Sequence, residues 1–169
     1  MHQNSGRSAV VAGLSVAAVV IAGCYHAKGN YTGLSKTSSP KQLSAQIVSG
    51  SFVVEPRTVK QFTVAVASDM AHPRLEGSFT ASGANNDIEV MLLEASQFQN
   101  WEKRSKFTVA YQSGRVTSDK LAIPLPAQEG TYYVVFSNRF SLISNKAVVA
   151  DIVLHCDKGK KQAPARTAY

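Results

Sequence analysis

The sequence predicts an all-β protein: a single β-sandwich of about eight strands, wound as a jelly roll or a Greek key, with one short helical connection and an N-terminal signal or anchor segment ahead of it. Three observations carry this expectation. Apolar and polar residues alternate with period two along most of residues 46–156. Turn-forming clusters such as Ser82-Gly83-Ala84-Asn85-Asn86, Ser113-Gly114 and Glu129-Gly130 interrupt that alternation. The formal charge of +7 also lies wholly outside this stretch. Residues 46–156 hold ten basic and ten acidic side chains. Arg7, Lys28, Lys36 and Lys41 precede them with no acid, and Lys158, Lys160, Lys161 and Arg166 follow against Asp157. A nucleic-acid-binding fold gathers its basic residues on the folded face that meets phosphate, so no nucleic-acid partner is expected. With 44% hydrophobic and 17% charged residues the chain is too apolar to be disordered, and two cysteines exclude a disulfide-dense scaffold.

Residues 1–23 read as a signal. A polar stretch with Arg7 leads into residues 8–23, SAVVAGLSVAAVVIAG, which are small, apolar and uncharged. They end in Ile21-Ala22-Gly23-Cys24. This resembles the lipobox of bacterial lipoproteins, an aliphatic residue and two small ones before a cysteine. The resemblance implies cleavage before Cys24, acylation of its thiol and amine, and a place in the cell envelope as a lipid-anchored membrane protein. Tyr25, where an Asp would imply retention in the inner membrane, implies the outer membrane if the organism is Gram-negative. Two other readings remain open at this point. Residues 8–24 could be an uncleaved anchor helix, though 17 residues is at the short limit for a bilayer, or an ordinary signal with Cys24 left as a thiol. Residues 24–45, rich in Gly, Ser, Thr and Lys, cannot bury a core and are expected to form a flexible tether.

The strands follow in order across a sandwich domain at 46–156. The first is expected near residues 47–54. Phe62, Val64 and Val66 then share one face; so do Leu75, Gly77 and Phe79, and Ile88, Val90 and Leu92. Residues 94–103 break the alternation and favour a short helix, with Phe98 and Trp101 three apart on one side, expected to cover an end of the sandwich. Alternation resumes with Phe107, Val109 and Tyr111, then with Leu121, Ile123 and Leu125. Residues 132–136 are a continuous apolar run, as in a central strand. Val148, Ala150, Ile152 and Leu154 close the series, and residues 157–169 are expected to be a basic, disordered tail. Three segments, Gly77-Ser78-Phe79-Thr80, Asn86-Asp87-Ile88-Glu89-Val90 and Gly130-Thr131-Tyr132-Tyr133-Val134-Val135-Phe136, are similar to strands of the bacterial pre-peptidase C-terminal domains and of GOLD domains. That resemblance implies an extracellular accessory or interaction module and no catalyst. The Phe98–Trp101 segment and Gln128-Glu129 depart from the simplest pattern of those groups.

Little in the chain points to chemistry. It has no Gly-x-Ser-x-Gly, His-Glu-x-x-His, P-loop or Gly-x-Gly-x-x-Gly motif. His155 and Cys156 are adjacent, so on a strand they face opposite ways, and Cys156 shares the inward parity of Ile152 and Leu154. No catalytic residue and no cofactor are expected. Asn86, Asp87 and Glu89, with Asn85, are the one oxygen-rich cluster that could hold a hard cation. One cluster lacks the six to eight oxygens calcium takes, so a turn capped by Asp87 is the stronger expectation. The most ligand-like set is Asn100 and Trp101 in the helical connection with Asn138, Arg139 and Phe140 after the late central strand. Aromatic faces, amides and a guanidinium suit sugars and peptides. Aromatic rings that cap the ends of the core are the competing, favoured reading. The function expected is a non-enzymatic envelope lipoprotein that reaches a membrane through its lipid and presents the sandwich to an envelope protein or glycan. The alternatives are a carbohydrate-binding module, which needs Trp101 or Phe140 exposed, and a secreted enzyme, which needs a cleft with convergent ionisable groups.

Overall fold

The computed structural model describes residues 42–158. Cys24, the signal, residues 24–41 of the expected tether and residues 159–169 of the basic tail lie outside the described residues. The elements run β1 (Gln42–Val54), β2 (Val59–Val66), β3 (Met70–Ser82), a 3-10 turn (Ala84–Asn86), β4 (Ile88–Glu94), α1 (Ala95–Glu102), β5 (Tyr111–Val116), β6 (Ser118–Pro124), β7 (Gly130–Ser137) and β8 (Lys146–Lys158). They form two antiparallel four-stranded sheets, ordered β1-β8-β3-β6 and β2-β7-β4-β5. The ladders β1·β8, β2·β7, β3·β6 and β4·β5 nest one inside the next, which is the jelly-roll winding of the two topologies expected.

Between the sheets, inward residues meet as the alternation predicts. Val64, Val66, Leu75, Phe79, Ile88, Val90, Leu121, Ile123, Val148, Ile152 and Leu154 are all buried there. Phe136 is the hub of an aromatic set. Its ring centroid lies 5.0 Å from Phe52, 5.9 Å from Phe62 and 5.9 Å from Phe79, in edge-to-face or near-perpendicular geometry that suits ring quadrupoles. Gly77 lets β3 lie close against β8: a Cβ there would stand 2.1 Å from the Asp151 carbonyl oxygen.

The structure departs from the sequence expectation at five places. β8 runs to Lys158, so Asp157 and Lys158, expected to open the tail, pair with Gln42 and Met70. β1 starts at Gln42, inside the stretch read as tether, because Gln42 to Ala45 pair with Leu154 to Asp157 of β8. A bulge in β1 between Gln46 and Val48 turns both Ile47 and Val48 into the core, and the Gln46 amide stitches it by donating to the Val48 carbonyl at 2.6 Å and to Asp151 Oδ1 at 2.6 Å. The strand expected around residues 107–112 starts only at Tyr111; before it, the Thr108 N–H is taken by Gln97 Oε1 of α1 at 3.0 Å and Phe107 is exposed. Ser113-Gly114, expected as a turn, is a bulge within β5. Gly114 takes φ 67° and the two residues oppose Val90 alone, whose N–H donates to Ser113 Oγ at 2.9 Å. Finally, α1 does not cover an end of the sandwich. It lies on the outer face of β4 and β7, where Met91, Leu93, Phe98 and Val135 are buried and Trp101 and Tyr133 pack beside them. Both faces of those central strands are apolar, so the outer one requires a cover.

The winding fixes two ends. Gln42 of β1 pairs with Asp157 of β8, so both tails leave from one end. Val54 pairs with Lys146 at the other, where the β1–β2, β3–β4, β5–β6 and β7–β8 connections gather. β1 spans the distance, roughly 40 Å at about 3.3 Å per residue.

Candidate functional site

The far end, away from the tails, is held by two buried polar side chains. Asn138 is fully buried after β7. Its amide nitrogen donates to the carbonyls of Val54, Glu55 and Ser144 at 3.1, 3.2 and 2.8 Å, tying the β1–β2 and β7–β8 connections together. Its Oδ1 is buried without a hydrogen-bond partner. Lys146 opens β8 and is 2% exposed. Its ammonium donates to the Ala84 carbonyl at 2.7 Å, the Gly83 carbonyl at 3.2 Å and Asp87 Oδ1 at 2.5 Å. A buried ammonium is tolerated when its protons and its charge all meet partners, which these three oxygens supply.

This arrangement accounts for the oxygen-rich cluster. Asp87 faces Lys146, Asn86 Oδ1 accepts from the Gly83 N–H at 3.0 Å, and Glu89 Oε1 accepts from the Gln112 amide at 2.7 Å. The three side chains do not converge on a point, and among the described residues no group of three or more His, Cys, Asp and Glu is placed to hold a metal ion. The internal cation of the β3–β4 connection is Lys146 itself.

The ligand-like set divides. Trp101 and Arg139 are together: the guanidinium lies 3.9 Å from the centre of the Trp101 ring, and Phe98 packs against the same ring at 5.7 Å. Burial against the ring pulls the Arg139 guanidinium below its ordinary pKa, with Glu102 acting the other way and Arg104 in the same sense. Phe140 is separate, with the Arg115 guanidinium 4.2 Å from its ring centre and the Lys146 ammonium 5.8 Å away. Asn138 is a structural tie within the fold. Asn100 is half-buried at the end of α1, where its carbonyl accepts from the Ser105 N–H at 2.9 Å. The two aromatic platforms therefore carry guanidinium groups, and each Trp101 or Phe140 ring is half-buried. No family model matches the chain, and no curated protein matches it.

Sequence reasoning missed four residues here: Lys146, Arg115, Leu142 and Ile143. Lys146 was legible, because the inward parity of Val148, Ala150 and Ile152 extends two residues back to it. Leu142 and Ile143, in the β7–β8 connection, are 67% and 89% exposed. Two adjacent aliphatic residues in a Ser- and Asn-rich connection were the available signal. Val53 at the end of β1 is also exposed.

Elsewhere, an open depression of about 440 Å³ runs along β3 and β6, lined by Ser78, Thr80, Ser118, Asp119 and Lys120. Asp119 is already engaged: Tyr111 Oη donates to it at 2.5 Å and the Lys120 N–H at 2.8 Å. Burial, then this bond and the Asp119 charge, push the Tyr111 hydroxyl well above its ordinary pKa. A phenol held protonated beside an occupied carboxylate offers neither a base nor a nucleophile.

Proposed function

We propose that the protein is a non-enzymatic lipoprotein of the cell envelope that presents its jelly-roll sandwich to a partner. The observation that carries this reading is the separation of the two ends. The chain that bears Cys24 enters the sandwich at Gln42, beside Asp157, and the Leu142–Ile143 connection stands at the opposite end. On this reading attachment and contact fall to opposite ends of the sandwich. The lipobox resemblance of Ile21-Ala22-Gly23-Cys24 supports the anchor, and two or three acyl chains suffice for stable attachment. The engaged Asp119 and the dispersed Asn86, Asp87 and Glu89 give an enzyme reading no support. A carbohydrate-binding reading is weakened because the Trp101 and Phe140 rings already hold guanidinium groups.

The test is photo-crosslinking in the envelope of the producing cell, with a benzophenone side chain at Ile143 or at Ser78 on the exposed outer face of β3. Adducts from position 143 and none from position 78 support a far-end contact. Adducts from position 78 alone, or none from 143, refute it.

A further inference from the structure

The far end suggests what the partner is. Leu142 and Ile143 are strongly exposed on the β7–β8 connection. Three arginines lie in or beside that connection. The Arg57 N–H donates to the Asn138 and Ser141 carbonyls at 3.0 and 3.2 Å, so Arg57 lies beside it; Arg139 belongs to it; Arg115 covers the Phe140 ring next to it. All three are exposed residues. The acids of this end are Glu55, which is exposed, Glu89, which accepts from Gln112, Asp87, which faces Lys146, and Glu102, which acts on Arg139 together with Arg104. With Arg104 and Lys146 counted, five cations stand against four acids around the apolar tip.

We infer that the Leu142–Ile143 connection docks on an anionic lipid bilayer, its aliphatic pair entering the headgroup boundary and Arg57, Arg139 and Arg115 meeting lipid phosphates. This rests on the interaction-module reading and names its partner. Protein interfaces centre on packed patches with aromatic anchors. Here the aromatic rings are already covered and the exposed groups are aliphatic and guanidinium. A headgroup region satisfies both at once, hydrocarbon for the tip and phosphate for the planar cations. Reach is no obstacle. Residues 25–41, fully extended, span roughly 55 Å at about 3.3 Å per residue, more than the length of β1. An anchored sandwich can therefore turn its far end to its own bilayer or meet an opposed one.

The experiment uses the mature full chain reconstituted into vesicles of phosphatidylcholine alone or with phosphatidylglycerol added, carrying an environment-sensitive fluorophore on Ile143→Cys. Flotation with the vesicles reports the anchor and the emission reports the tip, so the two can fail separately. The expected result is a blue shift that needs phosphatidylglycerol, disappears in the Arg57→Glu/Arg139→Glu variant and is missing for the same probe on Ser78→Cys. Both labelled positions are exposed, and an unchanged denaturation midpoint confirms that each variant folds. An emission that stays water-like on both vesicles overturns the inference. So does a shift of equal size on phosphatidylcholine, a shift that survives loss of the two arginines, or one that appears only when a second protein is added.

Discussion

The two ends of the sandwich are built differently. At the tail end the structure is backbone ladder: Gln42 to Ala45 pair with Leu154 to Asp157, and the side chains outside it form exposed pairs such as His72 with Asp157 at 3.1 Å. At the far end the connections are held by buried polar side chains, Asn138 and Lys146, each bridging segments distant in sequence. Nested antiparallel winding explains the contrast. It brings the first and last described strands together as the outermost ladder, joined by backbone hydrogen bonds. It also sends four connections to the other end, against three at the tail end, and there the carbonyl groups of the β1–β2, β3–β4 and β7–β8 connections take donors from side chains. Specific side-chain chemistry therefore collects at the end away from Gln42 and Asp157.

Breaking the far end should cost most. Asp87→Ala removes the partner of an ammonium that is 2% exposed and should destabilise the fold by about 3 kcal/mol in chemical denaturation. Lys146→Met should cost less, about 1 kcal/mol, because it leaves a carboxylate that is 22% exposed and can be hydrated. If the two losses are equal, Lys146 does not organise the β3–β4 connection. Trp101→Ala comes between them at about 2 kcal/mol, below full core truncation because the ring is half-buried under Arg139. A loss beyond about 4 kcal/mol would make the α1 cluster part of the main core.

Smaller effects sharpen the contrast. Tyr111→Phe removes the bond that joins β5 to β6 across the sandwich edge and should cost about 1 kcal/mol near neutral pH. The sign with pH is definite. The folded-state pKa is raised, so the stabilisation is complete below the ordinary tyrosine value of about 10 and is lost as pH rises toward the folded value. Tyr111→Phe should therefore flatten the alkaline fall of stability, and an unchanged slope would show that the hydroxyl does not carry it. At the tail end, His72→Ala should move the midpoint by no more than about 0.5 kcal/mol, since the imidazole is 84% exposed.

The sequence made the sheets legible and the far end only partly so. Period-two alternation placed Leu75, Phe79, Val90, Leu121 and Ile152 in one core, because side-chain direction on a strand is fixed by parity. The run at residues 132–136 announced a strand buried on both faces, but not that α1 covers it. Lys146 fell outside the reading because a lysine is ordinarily assigned to the surface, although its parity pointed inward. Asn138 looked like a ligand group because its type suits binding; its burial depends on three carbonyls from segments that pattern alone does not bring together. Ser113-Gly114 looked like a turn because a bulge and a turn both call for a residue at positive φ.

The proposal that one end attaches while the other makes contact depends first on the anchor. Mass spectrometry of the mature N-terminus tests it directly. The expected species begins at Cys24 and carries the added mass of a diacylglyceryl group and, with N-acylation, a further acyl chain. An intact Met1, or a mature chain whose Cys24 bears no lipid, would contradict it.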